Sequence, residues 1–341
     1  MKLVSKRFLI ILLTLLLFIT ALLLAACSRQ IPEAEPDDLI ILRYNDVNPE
    51  GNITTRTAQY FADRVKELSD GHIEVEVYAS GVLGDELQSY QQVQMGALDL
   101  YRANGGSLTK VGNDKSAVLA LPFLFRDRDH FWNVLRGEIG REILEDLQLS
   151  GTQMVGLFYI DEGPRNLFMV DKPVRNVEEL QGVKIRAMIS DILEDTFRAF
   201  GANPEQINYA ELYNTLKTRA VDGADNPVTS YYSNKFYQVA PYYTRTQHMY
   251  PPGIVIISEI TWNHLSETDK QILHEAAEQA MDFNRSEISR AEEEAYAMLR
   301  SAGVEIIEPE HLEEWKSAVA PVYEQYAKGM EKLIQRIQET E

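Results

Sequence analysis

Apolar residues recur along this chain with two periods that take turns. The stretch LIILRYNDV (39–47) is a short apolar run that breaks into polar residues, which predicts a buried strand. Over 55–69, Ala58, Phe61, Val65 and Leu68 fall at helical spacing, and "SDG" stops the helix. In HIEVEVYAS, Ile73, Val75 and Val77 alternate with acids, the pattern of a half-buried strand. A helix over about 85–95 and the strand ALDLYRAN follow, then a loop with LPFLF, a helix over about 129–147 and the strand TQMVGLFYI. A second group repeats the alternation. It has strands RNLFMV and VKIRA, a helix over about 190–200 that Ser190 can cap, strand QINYA, a helix over 211–218, strand AVDGA, a tyrosine-rich helix and strand GIVIIS. The segment 262–299 is periodic over most of its length. This order predicts an α/β fold with largely parallel sheets. Two such groups predict two domains, a ligand cleft between them where strand ends meet, and a helical C-terminal region.

The first residues follow neither period. Lys2, Lys6 and Arg7 precede an uncharged, apolar-rich run from Phe8 to Ala26, and "LAAC" ends it at Cys27. Small residues before a cleavage point mark a signal peptide, and a cysteine next to that point predicts a lipoprotein whose lipid-bearing first residue is Cys27. An uncleaved anchor gives the same topology, with the body outside the cell membrane. The stretch SRQIPEAEPDD reads as a flexible tether over 27–38. Cys27 is the only cysteine, so no internal disulfide is possible. With 45% hydrophobic and 25% charged residues the whole chain has the composition of a globular protein. Its formal net charge of −19 repels phosphate backbones and excludes nucleic acid as a partner. A chain this acidic that binds an anion must concentrate its cations in one pocket.

Catalytic motifs are missing: there is no P-loop, no GxSxG and no HExxH. The six histidines, at 72, 130, 248, 264, 274 and 311, form no i,i+4 metal-binding face. Neither a metal, a cofactor nor a catalytic residue is expected, and carboxylates such as Glu292 and Glu294 read as the solvated face of a charged helix. The polar groups at strand ends carry more. Arg165 opens RNLFMV, Arg186 nearly closes VKIRA, Asp225 and Asn226 end AVDGADN, and Asn104 ends LYRAN. An arginine fork holds a carboxylate through two parallel charge-assisted bonds, and asparagine adds a donor and an acceptor for hydroxyls. Taken singly, each arginine is more often a surface or structural ion-pair residue. Most of the 17 tyrosines sit at packing positions, and Tyr209, at the end of a short strand beside the other candidates, is the one assigned to a ligand.

The ordered pieces DGHIEVEVYASGVLGDE, VQMGALDL, LPFLFRDRDHF, LQGVKIRA, AFGANPEQINYAELYNTLKTRAVDGADNP and KFYQVAPYY resemble the solute-binding subunits of tripartite ATP-independent periplasmic (TRAP) transporters, of the dicarboxylate-binding type. The resemblance implies a two-domain clamp that closes on an organic acid and delivers it to a membrane permease, with no bond made or broken. Its domains would be 39–162 plus about 252–290, and 163–251 plus about 291–341. Arg186, in the family's G-x-K-[LI]-R segment, is expected to pair with the ligand carboxylate and Arg165 to support it. Asn226 would donate to the ligand, Tyr209 would cover it, and His248 would face it. Asn104 stands where some members carry a ligand-contacting glutamate, which speaks against an amine-bearing ligand; Arg102 and Asn45 complete the candidate set. The segments DLYRAN and DGADNPVTSYY resemble uronate-binding members most, so a sugar acid such as glucuronate or galacturonate is expected, with a C4-dicarboxylate as runner-up. Partners beyond the acid and the permease are not expected, and the protein is expected to be a monomer held to the membrane by its lipid alone. A surface-anchored sugar-acid lyase or isomerase, an anion receptor and an ABC-type binding protein are the competing readings.

Overall fold

Caps and apolar spacing organise the chain much as the pattern predicts. Asn52 caps the helix Ile53–Leu68 by accepting from the Thr54 amide, and Ala58, Phe61 and Val65 line its buried face. Asp85 and Gln88 form a reciprocal capping box at the start of Glu86–Gln94. Ser190 caps Asp191–Ala199. The computed structural model describes residues 39–341, so the leader, the lipidation position Cys27 and the tether lie outside the described residues.

The strands, in chain order, are β1 (Ile40–Asn45), β2 (Ile73–Tyr78), β3 (Leu100–Asn104), β4 (Met154–Ile160), β5 (Arg165–Met169), β6 (Lys184–Ala187), β7 (Asn203–Gln206), β8 (Gly223–Asn226), β9 (Tyr242–Met249), β10 (Gly253–Ser258) and β11 (Glu305–Ile307). They build two sheets, ordered β2-β1-β3-β10-β4 and β11-β9-β5-β8-β6-β7. β3, β4, β5, β8 and β10 are buried along their whole length, so helices and loops cover both faces of the sheet centres.

Two short links cross from sheet to sheet, 161–164 after β4 and 250–252 before β10, and the long helix Glu267–Ser301 makes a third crossing between β10 and β11. Tyr250 ties the two short links together by donating to the Asp161 carboxylate at 2.8 Å. Arg128 binds the same carboxylate at 2.8 Å and reaches Glu292 at 2.8 Å on the long helix Glu267–Ser301. Asn284, buried in that helix, grips the Asp161 backbone from both sides, accepting from its amide and donating to its carbonyl. The helix has 35 residues and is about 50 Å long. It packs on Ile53–Leu68 and β4 before reaching the second core, which Phe168, Tyr231, Tyr243, Ala295 and Leu299 share. Among the described residues no helix is long and apolar enough to cross a membrane.

Several expectations need correction. The sheets are mixed rather than largely parallel: β10 runs antiparallel to β3 and β4, and β5 antiparallel to β8 and β9. Both short links carry the chain into the other sheet rather than back to a strand of the same one, and β5 and β10 each run against the neighbours they meet there. The helix expected over 129–147 is two helices, Arg128–Arg136 and Glu138–Leu149, broken where Gly137 is extended (φ −79°, ψ −169°). The strand expected at QINYA stops at Gln206, because its only partner, β6, ends opposite at Ala187; Tyr209 opens a short 3-10 turn instead. The strand expected at AVDGA forms later, over Gly223–Asn226. Glu292 is no solvated surface acid but half-buried against Arg128.

Gly163, in the first link, has φ +88°, and a Cβ there would lie 2.5 Å from the Glu292 carboxylate. Gly182 has φ +73° with nothing within 4 Å. Gly182→Ala should therefore cost only backbone strain, ~1 kcal/mol. Gly163→Ala should cost roughly twice that or more, since it also displaces Glu292 from Arg128. Thermal melts of the two variants check the difference, expected as several degrees of Tm.

Candidate functional site

Between the sheets lies a cavity lined by residues of both. The first sheet and its loops supply Asn48, Glu86, Tyr101, Arg102, Asn104 and Glu162; the second supplies Arg165, Arg186, Tyr209, Asn226 and Ser230. Strand ends position most of them, because β3, β6 and β8 finish at this cavity and β5 starts from it.

Three arginines reach the cavity with different electrostatic fates. Arg102 is buried and shared by two acids, Glu162 at 2.6 Å and Asp46 at 3.3 Å. Burial pushes the Glu162 carboxyl above its ordinary value even though Arg102 opposes that shift. Arg165 spends its Nε and one terminal nitrogen on Asp225, at 2.5 and 2.9 Å, and adds the Asp225 carbonyl. Burial alone would raise the Asp225 pKa, but Arg165 and His248 hold it well below the carboxylate range. The pair therefore stays ionised from neutral pH far into acid.

Arg186 differs. It is 3% exposed. Among the described residues it has one hydrogen bond, Nε to the Ile207 carbonyl at 2.9 Å, and no ion pair. Its guanidinium lies 5.6 Å from the centre of the Tyr209 ring. Burial, followed by the like charge of Arg165, presses its pKa down to about 10. A buried cation with no counter-ion is costly unless an anion arrives.

Neutral groups complete the walls. Asn104 accepts from the Gly106 amide through Oδ1, which leaves its NH2 group for the cavity. Asn226 donates to the Tyr209 hydroxyl at 3.3 Å. Tyr209 donates to Asn48 Oδ1 at 3.3 Å, which bridges second sheet to first. Burial raises the Tyr209 pKa to about 12, so its hydroxyl remains a neutral donor. Asn52 to Ser233 at 2.9 Å extends that bridge. Ser190 Oγ to the Gly106 carbonyl at 3.0 Å and Lys110 to Asp191 at 2.5 Å make another.

Of the candidate residues, the cavity brings together Arg186, Arg165, Asn226, Tyr209, Asn104 and Arg102. Two lie elsewhere. His248 is fully buried behind the cavity wall, with Nε2 3.3 Å from Asp225 and Nδ1 against Thr246, so Asp225 stands where a ligand would have to be. Asn45 is also fully buried and donates to the Gly84 carbonyl and Ser89. Sequence reasoning missed Asn48, Glu86, Glu162 and Ser230. Glu86 is the last residue of the motif DGHIEVEVYASGVLGDE and directly follows the helix cap Asp85, a position that reads as a dipole-compensating acid. Among the described residues no cluster of metal-ligating side chains occurs.

Comparison with known proteins places this geometry. The family profile described as bacterial extracellular solute-binding protein, family 7 (DctP) matches residues 44–329. A TRAP periplasmic solute-binding protein of Bradyrhizobium, solved with galacturonate, is 33% identical, with a TM-score of 0.85 over 88% of this chain and 99% of that one. One from Pseudomonas putida F1 with bound D-glucuronate is 31% identical, with a TM-score of 0.85 over 88% and 97%. One from Sulfurospirillum deleyianum with bound succinate is 31% identical, with a TM-score of 0.82 over 89% and 99%. The chain belongs to the DctP family of bacterial extracellular solute-binding proteins, the binding subunits of TRAP transporters.

Proposed function

We propose that this protein captures a sugar acid, of the glucuronate or galacturonate kind, and delivers it to a TRAP permease without chemical change. The observation that carries the reading is Arg186, a buried guanidinium without a carboxylate, facing a cavity rich in amides and hydroxyls. The ligand carboxylate takes the free side of that fork, with Arg165, itself paired with Asp225, supporting the same wall. Asn226, Asn104 and Tyr209 meet the ring hydroxyls. The halves 39–162 plus about 252–290 and 163–251 plus about 291–330 act as the jaws, moving about the links 161–164 and 250–252; the last helix, Glu331–Glu339, expected with the second half, packs instead on the first, through Ile337 on His130 and Arg336 on Glu142. The bridges from Asn48 to Tyr209 and from Gly106 to Ser190 hold them shut. The uronate complexes of the Bradyrhizobium and Pseudomonas putida relatives support this ligand class; the succinate complex supports a C4-dicarboxylate as the second reading. A lyase or isomerase needs a base at the ligand, and His248, the histidine considered for that role, is walled off by Asp225. We further propose that Cys27 carries a lipid that anchors a monomer on the extracytoplasmic face of the membrane.

Thermal shift of the soluble domain with glucuronate, galacturonate and succinate tests the ligand class. A ligand at a hundred times its Kd should stabilise by about 2.7 kcal/mol, and a response to succinate alone would replace the sugar-acid reading with the dicarboxylate one. Arg186→Lys should weaken uronate binding at least tenfold by calorimetry, because a point charge replaces a planar fork. Arg186→Met should abolish binding yet raise the melting temperature of the empty protein, since it removes an uncompensated buried charge; an unliganded protein made less stable by that change would contradict the assignment.

Tyr209→Phe loses the hydroxyl that joins the two halves. Ligand dissociation should speed up roughly fivefold, the equivalent of one hydrogen bond of about 1 kcal/mol, as read by stopped-flow release. Cells grown with a labelled fatty acid should label the wild-type protein and not Cys27→Ser. Equal labelling of that variant, or no label on the wild type, would overturn the lipid anchor.

A further inference from the structure

The cavity is electrostatically lopsided. Arg165 is neutralised by Asp225, and Arg102 is outnumbered by Asp46 and Glu162. Besides that surplus acid, two lining side chains have no partner of opposite charge among the described residues, and they come from different halves: Arg186 on β6, and Glu86 at the start of the helix after β2. Glu86 is half-buried and has no cationic partner among the described residues. The hydroxyls of Tyr90 and Ser107 both converge on its Oε1. Its Oε2 has no partner among the described residues and can accept from whatever enters the cavity. A ligand carboxylate that settles on Arg186 cancels the one free positive charge. Whatever the ligand carries toward the first sheet then meets Glu86 and the acid surplus around Arg102.

We propose that Glu86 is the specificity-determining residue of this site: its carboxylate accepts hydroxyl protons from the far part of a polyhydroxy monocarboxylate and turns away a second carboxylate. Hydroxyl donors fit this position because a carboxylate can accept but never donate, so every group facing it must bring its own proton. A second carboxylate brings none, and like charges brought together out of water repel strongly. A ligand ammonium would suit Glu86 alone, but it would share the cavity with three guanidinium groups. The site therefore selects by charge count as well as by shape, and negative selection of this kind separates a sugar acid from the dicarboxylates to which family members also bind. This inference rests on the sugar-acid reading above and goes beyond it by assigning the discrimination to one side chain.

The test is calorimetry on the wild-type protein and Glu86→Gln with three acids: glucuronate, glucarate (the same chain length, with a carboxylate at each end) and succinate. Wild type should bind glucuronate at least about tenfold more tightly than either dicarboxylate. Glu86→Gln keeps the shape and one acceptor but removes the charge. It should weaken glucuronate severalfold and strengthen glucarate or succinate about tenfold, so that the preference narrows or inverts. Wild type taking glucarate or succinate as tightly as glucuronate would overturn the inference, with or without a folded variant. So would an unchanged preference in Glu86→Gln. Failure of the sugar-acid reading has a different mark: wild type gives no heat with glucuronate. The role of Glu86 is then decided by the dicarboxylates alone, supported if Glu86→Gln gains affinity for them and overturned if it does not.

Discussion

A guanidinium held out of water without a counter-ion is the constraint around which this cavity is arranged. An isolated buried ion costs several kcal/mol, and Arg186 is tolerated because its surroundings are fixed by other means. Its Nε is satisfied by the Ile207 carbonyl, and its face lies near the Tyr209 ring. Its strand, β6, is locked between β7 and β8. The neighbouring cation, Arg165, is neutralised across β5 and β8 by Asp225, so only one positive charge remains unspent. Were Asp225 free to swing to Arg186, the cavity would be self-neutralised. The fork from Arg165 and the His248 ring behind it prevent that. His248 thus acts on the cavity through Asp225 rather than by contact with whatever occupies it.

The same economy governs the links between the halves. Asp161 is fully buried, yet Arg128, Tyr250 and the Gly163 amide all converge on its carboxylate. Both crossing segments and the long helix are therefore fixed to one point. Motion between halves has to be absorbed by the few residues beyond it, where Gly163 takes a conformation other residues resist. The bridges at the cavity are of another kind: apart from the Lys110–Asp191 ion pair they are neutral, and 2.9 to 3.3 Å long where Asn48, Asn52, Tyr209 and Ser233 meet. Each is worth on the order of 1 kcal/mol. That is strong enough to favour closure when a ligand adds its own contacts and weak enough to release it.

How much of this was legible in the sequence depended on how local each signal is. Ser190 as a cap, the buried face of Ile53–Leu68 and the alternation in β2 follow from a few neighbouring residues, and the structure has them. β9 is different: its sequence, YYTRTQHM, has no clean alternation, because its buried positions do not alternate with exposed ones along the strand. Sheet direction was misread because it depends on links that cross between sheets, which no local period reports. Arg165 and Arg186 looked alike as strand-end arginines. Only the three-dimensional pairing of one with Asp225 separates a structural ion pair from a cation still waiting for an anion. Glu86 was hidden for the opposite reason: a sufficient local explanation, the first turn of a helix, masked its position on the cavity wall.

The overall charge sharpens what the cavity must accomplish. With a formal charge of −19 the protein as a whole repels organic acids, but beyond about 8 Å in physiological salt that field is screened. Attraction has to come from groups the ligand meets at close range, where the dielectric is low and each uncompensated charge counts for most. An unpaired buried cation makes the potential positive at its own end of the cavity, although the charged groups of the lining and their partners together carry more acids than arginines, and a second one would weaken any preference for a single carboxylate. Pairing Arg102 and Arg165 with acids while leaving Arg186 free keeps the unpaired positive charge at one. On the proposed reading that restraint would give an acidic protein its selectivity: the first carboxylate of a ligand would be welcomed, and anything negative after it would meet the protein's prevailing charge.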